Sequence, residues 1–273
     1  MDITIIMKTS RHYNYQNIIG NKSDQKKNHI NNDEIRFDWF KKIISSKIKF
    51  KTMTDFGSNL GYFCLRFNEY FKTKCIGYEY ERLTFVRANK LKREIDNIKY
   101  FNKGLDLNNL NKIDKTDLIL NLNVLHHAGH MYDKKLVQLK GKKLNNSKID
   151  WATYASKYLN ILSKKSKYLF FQTGNVNFNI NHFENSETFK LLPSILNKSG
   201  WKIINIGVTQ FSKNKVFYKT YKASEMRKIP IVTCKKEQKT GSVIYYKNNK
   251  PIFKFKTGFL QRPIFWCVSK NYK

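Results

Sequence analysis

Cysteine is scarce in this 273-residue chain: Cys64, Cys75, Cys234 and Cys267 are the full set. No two of them form a C-x-x-C pair, which argues against a zinc knuckle and a thiol redox motif. Cys64 and Cys75 stand among apolar residues and read as buried thiols of a reducing compartment. Long apolar runs are missing too. None approaches the ~20 residues that span a bilayer, so no membrane span is expected. Met1-Asp2-Ile3-Thr4-Ile5-Ile6-Met7-Lys8 puts an acid where a secretory signal needs positive charge, and its apolar run is short. A cytoplasmic protein is expected.

Acidic residues are also in short supply. Lys and Arg number 52 against 20 Asp and Glu, a formal net charge of +32. That balance invites a polyanionic partner. Arginine, which suits bidentate phosphate contacts, nevertheless stands only at Arg11, Arg36, Arg66, Arg82, Arg87, Arg93, Arg227 and Arg262. Lysine is spread along the chain. It is abundant together with Asn and Ile, which share its A/T-rich codons, so codon usage alone accounts for such a bias.

With 41% hydrophobic residues the chain can bury one sizeable core and form at most two domains. There is no internal repeat and no Pro- or Gly-rich linker. Residues 1–30 are polar and read as an N-terminal arm; residues 31–273 read as one domain. A helix is expected at Asp33–Lys47, then an alternation. Strands are predicted at Phe50–Phe56, Cys75–Tyr80, Ile98–Phe101, Asp117–Leu122, Tyr168–Gln172 and Lys202–Val208. Helices are predicted at Tyr62–Phe71, Arg82–Ile95, Trp151–Leu162 and Phe189–Leu196, the last weakened by Pro193. Such alternation implies a mostly parallel sheet with helices on both faces and strand C-termini at one edge, where ligands bind. Ser242–Tyr246 and Pro251–Phe255 read as a β-hairpin within an insertion at about 210–260.

Asp55-Phe56-Gly57-Ser58-Asn59-Leu60-Gly61 leaves a predicted strand and opens a predicted helix, the context of a cofactor loop. Gly57 permits a sharp turn, and Gly61 permits close backbone approach. A dinucleotide loop needs a second glycine where Asn59 stands, and its side chain would crowd a pyrophosphate. The Gly-Lys-Ser/Thr of a P-loop is absent. Asp55-Phe56-Gly57 spells a kinase triplet, but no H-R-D loop precedes it. The pattern suits a nucleoside cofactor without phosphates.

The segment resembles motif I of the class I S-adenosylmethionine-dependent methyltransferases, and the likeness continues over about residues 50–210. That resemblance implies a Rossmann-like α/β fold with a seven-stranded, mostly parallel sheet and S-adenosyl-L-methionine as cofactor. It implies cofactor contacts from Asp55, Gly57, Ser58, Asn59 and Gly61. Glu79, with Glu81 as fallback, ends the second strand, where the family places an acid on the ribose hydroxyls. Asp106 resembles the acid beside adenine, although a helix N-cap explains it nearly as well. Asp117–Leu122 followed by Asn123-Val124-Leu125-His126-His127 resembles the fourth strand and its loop, with Asn121 at the cofactor and His126 and His127 as catalytic candidates. His130 completes H-H-x-x-H, but no metal is expected, since Asp133 is the only acid nearby. Arg262–Val268 resembles the antiparallel final strand, with Val216-Phe217-Tyr218 a competing candidate.

The expected activity is methyl transfer to an oxygen or nitrogen of a small-molecule or glycan acceptor. The alternatives are an RNA (tRNA) methyltransferase and a non-catalytic module that binds the cofactor. The Asn-Pro-Pro-Tyr loop for exocyclic base amines in DNA is absent; Asn121-Leu122-Asn123-Val124 stands there. RNA binding would demand lysines and aromatics on one face. Lys247, Lys250, Lys254 and Lys256 beside Tyr245, Tyr246 and Phe253 are the candidates.

Overall fold

The computed structural model describes residues 32–44, 48–92, 94–139, 146–177, 180–212, 215–229, 233–236, 243–247, 250–255 and 262–273. The proposed arm, residues 1–30, lies outside them. So do the side chains of the hairpin lysines and aromatics and of Cys234.

The chain alternates as anticipated: α1 Asn32–Ile43, β1 Thr52–Phe56, α2 Tyr62–Phe71, β2 Lys74–Glu79, α3 Arg82–Lys92, β3 Ile98–Asn102 and β4 Thr116–Leu122. Then come α4 Trp151–Lys165, β5 Ser166–Gln172, α5 Thr188–Lys198, β6 Trp201–Ser212 and β7 Lys215–Lys222. A three-stranded antiparallel sheet, β8 Thr233–Lys236, β9 Val243–Lys247 and β10 Lys250–Phe255, precedes the last strand, β11 Ile264–Ser269.

The main sheet runs β7-β6-β11-β5-β4-β1-β2-β3. Its β3, β2, β1, β4 and β5 are parallel, while β11 runs antiparallel to β5 and β6. The two candidates for the last position are thus both used. Ile264–Ser269 takes the antiparallel inner place, and Lys215–Lys222 adds an outer edge. Among the described residues this sheet has eight strands, one more than the seven expected.

One core lies on the α1–α2–α3 side of the sheet, with Phe37, Phe40, Phe63 and Phe67. The other lies beneath α4 and α5, with Tyr154, Tyr158, Leu162 and Leu196. Helix α4 buries Trp151, Tyr154, Ala155, Tyr158, Leu159 and Leu162 at three- and four-residue spacing. Its N-terminus is capped by Asp150, whose carboxylate accepts Thr153 N–H at 3.0 Å. Helix α5 continues through Pro193. The lost hydrogen bond and ring clash cost about 3 kcal/mol. Burying Leu192, Ile195 and Leu196 offsets that at about 1.5–3 kcal/mol each.

Trp39 fixes α1 over the sheet. Its indole lies where a Cβ on Gly207 would stand, 2.7 Å from Cε2, and its Nε1 donates to Thr220 Oγ1 at 3.0 Å. A side chain at residue 207 would lift α1 and the two buried residues it carries to the site, Asp33 and Arg36.

Candidate functional site

In this sheet the strand order reverses at β1, which lies between β4 and β2. Loops leaving adjacent strands part at such a point and open a crevice. The predicted cofactor loop leaves β1 there. Gly57 (φ +66°), Asn59 (φ +50°) and Gly61 (φ +81°) are left-handed. A Cβ at Gly61 would fall 1.9 Å from Tyr100 Oη, whose hydroxyl donates to the Gly61 carbonyl. Position 61 therefore requires glycine for both conformation and space.

Glu79 ends β2 and joins the loop to the strand. One carboxylate oxygen accepts Asn59 N–H at 2.9 Å; the other accepts Glu81 N–H at 2.8 Å. Glu81 instead holds the start of α3, accepting from Thr84 N–H and hydroxyl at 2.6 Å each. Between the two acids, Glu79 is the one in contact with the loop.

Asp55 is buried, and its Oδ2 meets no hydrogen-bond partner among the described residues. Burial raises its pKa well above the ordinary carboxylate value; nearby Arg36 opposes the shift, while Asp33 and Glu79 add to it. Ser58 Oγ and both polar atoms of Asn121 are likewise buried without a hydrogen bond among the described residues. Asn121 sits beside the Tyr158 hydroxyl and aligns with Phe56 and Phe171. Asp106 lies half-buried and caps a turn, its Oδ1 accepting Asn108 N–H at 3.0 Å and Asn109 N–H at 3.1 Å. It is not a helix N-cap, since Asn109 takes that place before the 3-10 turn Leu110–Lys112.

Beyond β4, Leu125–His127 forms one 3-10 turn. His126 is buried, and its Nδ1 accepts Gly174 N–H at 3.4 Å. Burial lowers its pKa well below the ordinary value, reinforced by Arg262, His127 and His182. The His127 ring lies 4.0 Å from it, centroid to centroid, and is partly exposed. Among the described residues no three His, Cys, Asp or Glu side chains converge as a metal site, His130 and Asp133 included.

Several residues here escaped sequence reasoning as parts of a site. Gln172, at the end of β5, accepts from Arg36 and from Asn123 Nδ2 at 3.1 Å each. Its amide donates to the Arg262 carbonyl at 2.8 Å and to the Tyr218 hydroxyl at 3.3 Å. Arg262 Nη1 in turn donates to Asn123 Oδ1 at 2.8 Å, and Arg36 pairs with buried Asp33. The glutamine was legible as the one polar residue closing an apolar strand. His182, which stacks on Trp151 at 5.1 Å and donates to the His126 carbonyl at 2.7 Å, carried no local signal.

No protein-family model matches the sequence, and no curated protein does. Solved structures do. Two crystal structures of WbdD, described as a bifunctional kinase-methyltransferase, are 11% identical over 90% of this chain, at a TM-score of 0.50. The chain has the class I methyltransferase fold. The O-methyltransferase of a Brevibacillus brevis trans-AT PKS multienzyme, solved with S-adenosyl-L-homocysteine, is 13% identical over 64% of this chain, at a TM-score of 0.43. The chain spans about half of each: 53% of one WbdD chain, 54% of the other and 54% of the Brevibacillus chain. On this methyltransferase fold, the loop of Gly57 and Gly61, the acid Glu79 and the turn carrying His126 and His127 lie at the strand C-terminal edge. No described helix is long and apolar enough to cross a membrane.

Proposed function

We propose that the chain is an S-adenosyl-L-methionine-dependent methyltransferase acting on an oxygen or nitrogen of a small-molecule or glycan acceptor. One observation carries this reading: Asp55 Oδ2, Ser58 Oγ and the Asn121 amide are buried without hydrogen bonds among the described residues. An unsatisfied buried polar group costs about 1–3 kcal/mol, so such groups on and beside the β1 loop favour a polar ligand. The residues fit the cofactor. Glu79 suits the ribose hydroxyls, and the Gly57–Gly61 backbone leaves room for close approach. Asp55, Ser58, Asn59 and Asn121 offer the remaining polar contacts. Asp106 stands on the adenine side in this reading, held by its turn. Once bound, the cofactor supplies an electrophilic methyl group on a sulfonium. The protein's part is to align the acceptor and exclude water, with His126 and His127 as the catalytic candidates beside it.

Calorimetry with S-adenosylmethionine and S-adenosylhomocysteine tests the reading. Micromolar binding of each is expected, and a folded protein that binds neither sinks it. Transfer of labelled methyl groups into a host extract then separates an enzyme from a module that only binds. An RNA acceptor is the second reading, supported by the net charge of +32 and by exposed Tyr80 and Phe101 near the end of β2.

A further inference from the structure

We infer that His126 is a fixed N–H donor to the acceptor atom and not its general base, and that this arrangement selects a hydroxyl oxygen over an amine nitrogen. The inference deepens the methyltransferase reading and rests on it for the acceptor; the protonation pattern of His126 does not.

The ring's two nitrogens are assigned by its surroundings. Gly174 N–H points at Nδ1 from 3.4 Å, so Nδ1 accepts and carries no proton. A neutral imidazole has one N–H, which must then stand on Nε2. Among the described residues Nε2 has no protein hydrogen-bond partner, which leaves it for a ligand.

Neither side of this arrangement is loose. Gly174 is held against Arg262, whose Nη2 lies 2.6 Å from where a Cβ would be. On the other side His182 holds the His126 carbonyl at 2.7 Å, and Trp151 Nε1 holds the Leu125 carbonyl at 3.1 Å. The titratable groups facing the ring are Arg262, His127 and His182, and each opposes a second proton. One nitrogen is therefore occupied as an acceptor and the other already protonated. His126 has no site at which to take a proton from substrate.

The chemical consequence lies in lone pairs. A hydroxyl oxygen has two: one can accept the Nε2–H while the other attacks the methyl carbon. Its proton is released to solvent once the oxygen carries the methyl group. An amine nitrogen has a single lone pair, and a hydrogen bond from His126 would occupy the electrons needed for attack.

Nitrogen-15 NMR of the full chain reads the tautomer directly among its six histidines. The resonance pair lost in His126→Gln should report a neutral ring protonated at Nε2 between about pH 6 and pH 8. A ring protonated at Nδ1, or doubly protonated at neutral pH, overturns the inference. Turnover of labelled cofactor gives the second arm. The glutamine amide can place an N–H near the position of Nε2, so His126→Gln should keep activity within ~10-fold. His126→Asn and His126→Ala should lose about 100-fold or more, as when one preorganised donor is removed. Equal loss in all three, with S-adenosylhomocysteine affinity intact, overturns it, and so does a product methylated on nitrogen. Absence of cofactor binding by wild type would instead sink the methyltransferase reading while the tautomer result stood.

Discussion

The carboxylate of Glu79 accepts the backbone N–H of Asn59 at 2.9 Å, across twenty residues of sequence. This contact ties the end of β2 to the loop after β1 before any ligand arrives. A preset loop lowers the ordering cost of binding. Asn59 itself sits at φ +50°, a conformation asparagine tolerates better than most residues.

Glu79→Ala should therefore weaken S-adenosylhomocysteine by about 100-fold or more, because charge-assisted hydrogen bonds contribute about 1.5–3 kcal/mol each. The melting temperature should fall too, because the two backbone hydrogen bonds that the carboxylate accepts are lost, but the sheet should stay folded. Calorimetry beside a thermal scan checks this; undiminished affinity would refute the ribose role.

Gly57→Val should abolish cofactor binding and leave the sheet folded. Its Cβ would press on Val124 Cγ2 at 2.8 Å, a side-chain end that can move, while φ +66° strains the loop. Gly61→Ala should be worse for stability, by about 1–3 kcal/mol, from backbone strain together with the Tyr100 clash. Urea unfolding of the two variants should rank them in that order.

Asp55→Asn separates stability from function. Burial holds the folded pKa of Asp55 well above its ordinary value. A raised pKa gives stability that is fully present below the unfolded value and lost as pH rises through the folded one. The amide variant should thus match or exceed wild type in melting temperature at neutral pH, with a smaller difference in acid. Its cofactor affinity should drop. A variant less stable at pH 7 than at pH 4, relative to wild type, would contradict this.

His126 and His182 have the opposite sign in stability. Burial lowers both folded pKa values below the ordinary histidine value. Their neutral forms are at full advantage above the unfolded pKa of about 6.5, and stability is lost as pH falls from there toward the folded values. Each histidine can add up to about 1.4 kcal/mol per pH unit to that slope. Chemical unfolding between pH 7 and pH 5 should show a shallower slope in His126→Gln than in wild type.

The acceptor question has its own assay, filter binding of bulk tRNA across a salt series. Under the small-molecule or glycan reading, affinity should vanish near physiological ionic strength. Tight binding that persists there, with a steep salt slope, would favour RNA.

Local sequence determined the alternation of elements and the glycine loop after β1, because hydrophobic periodicity and glycine placement act within a few residues. The spans of α2 and the ends of β1, β4 and β5 follow from that periodicity alone. Glu79 follows instead from the family resemblance, which puts an acid at the end of the second strand. Tertiary structure decided what lies far apart in sequence. Gln172 gathers Arg36, Asn123, Tyr218 and Arg262, partners from four other segments that no periodicity links. Lys215–Lys222 became an eighth strand because β6 still offered a free edge, a property of the assembled sheet. The protonation of His126 depends on Gly174, 48 residues away. A hydrogen bond across that separation exists only once β4 and β5 pair and bring their C-terminal loops side by side.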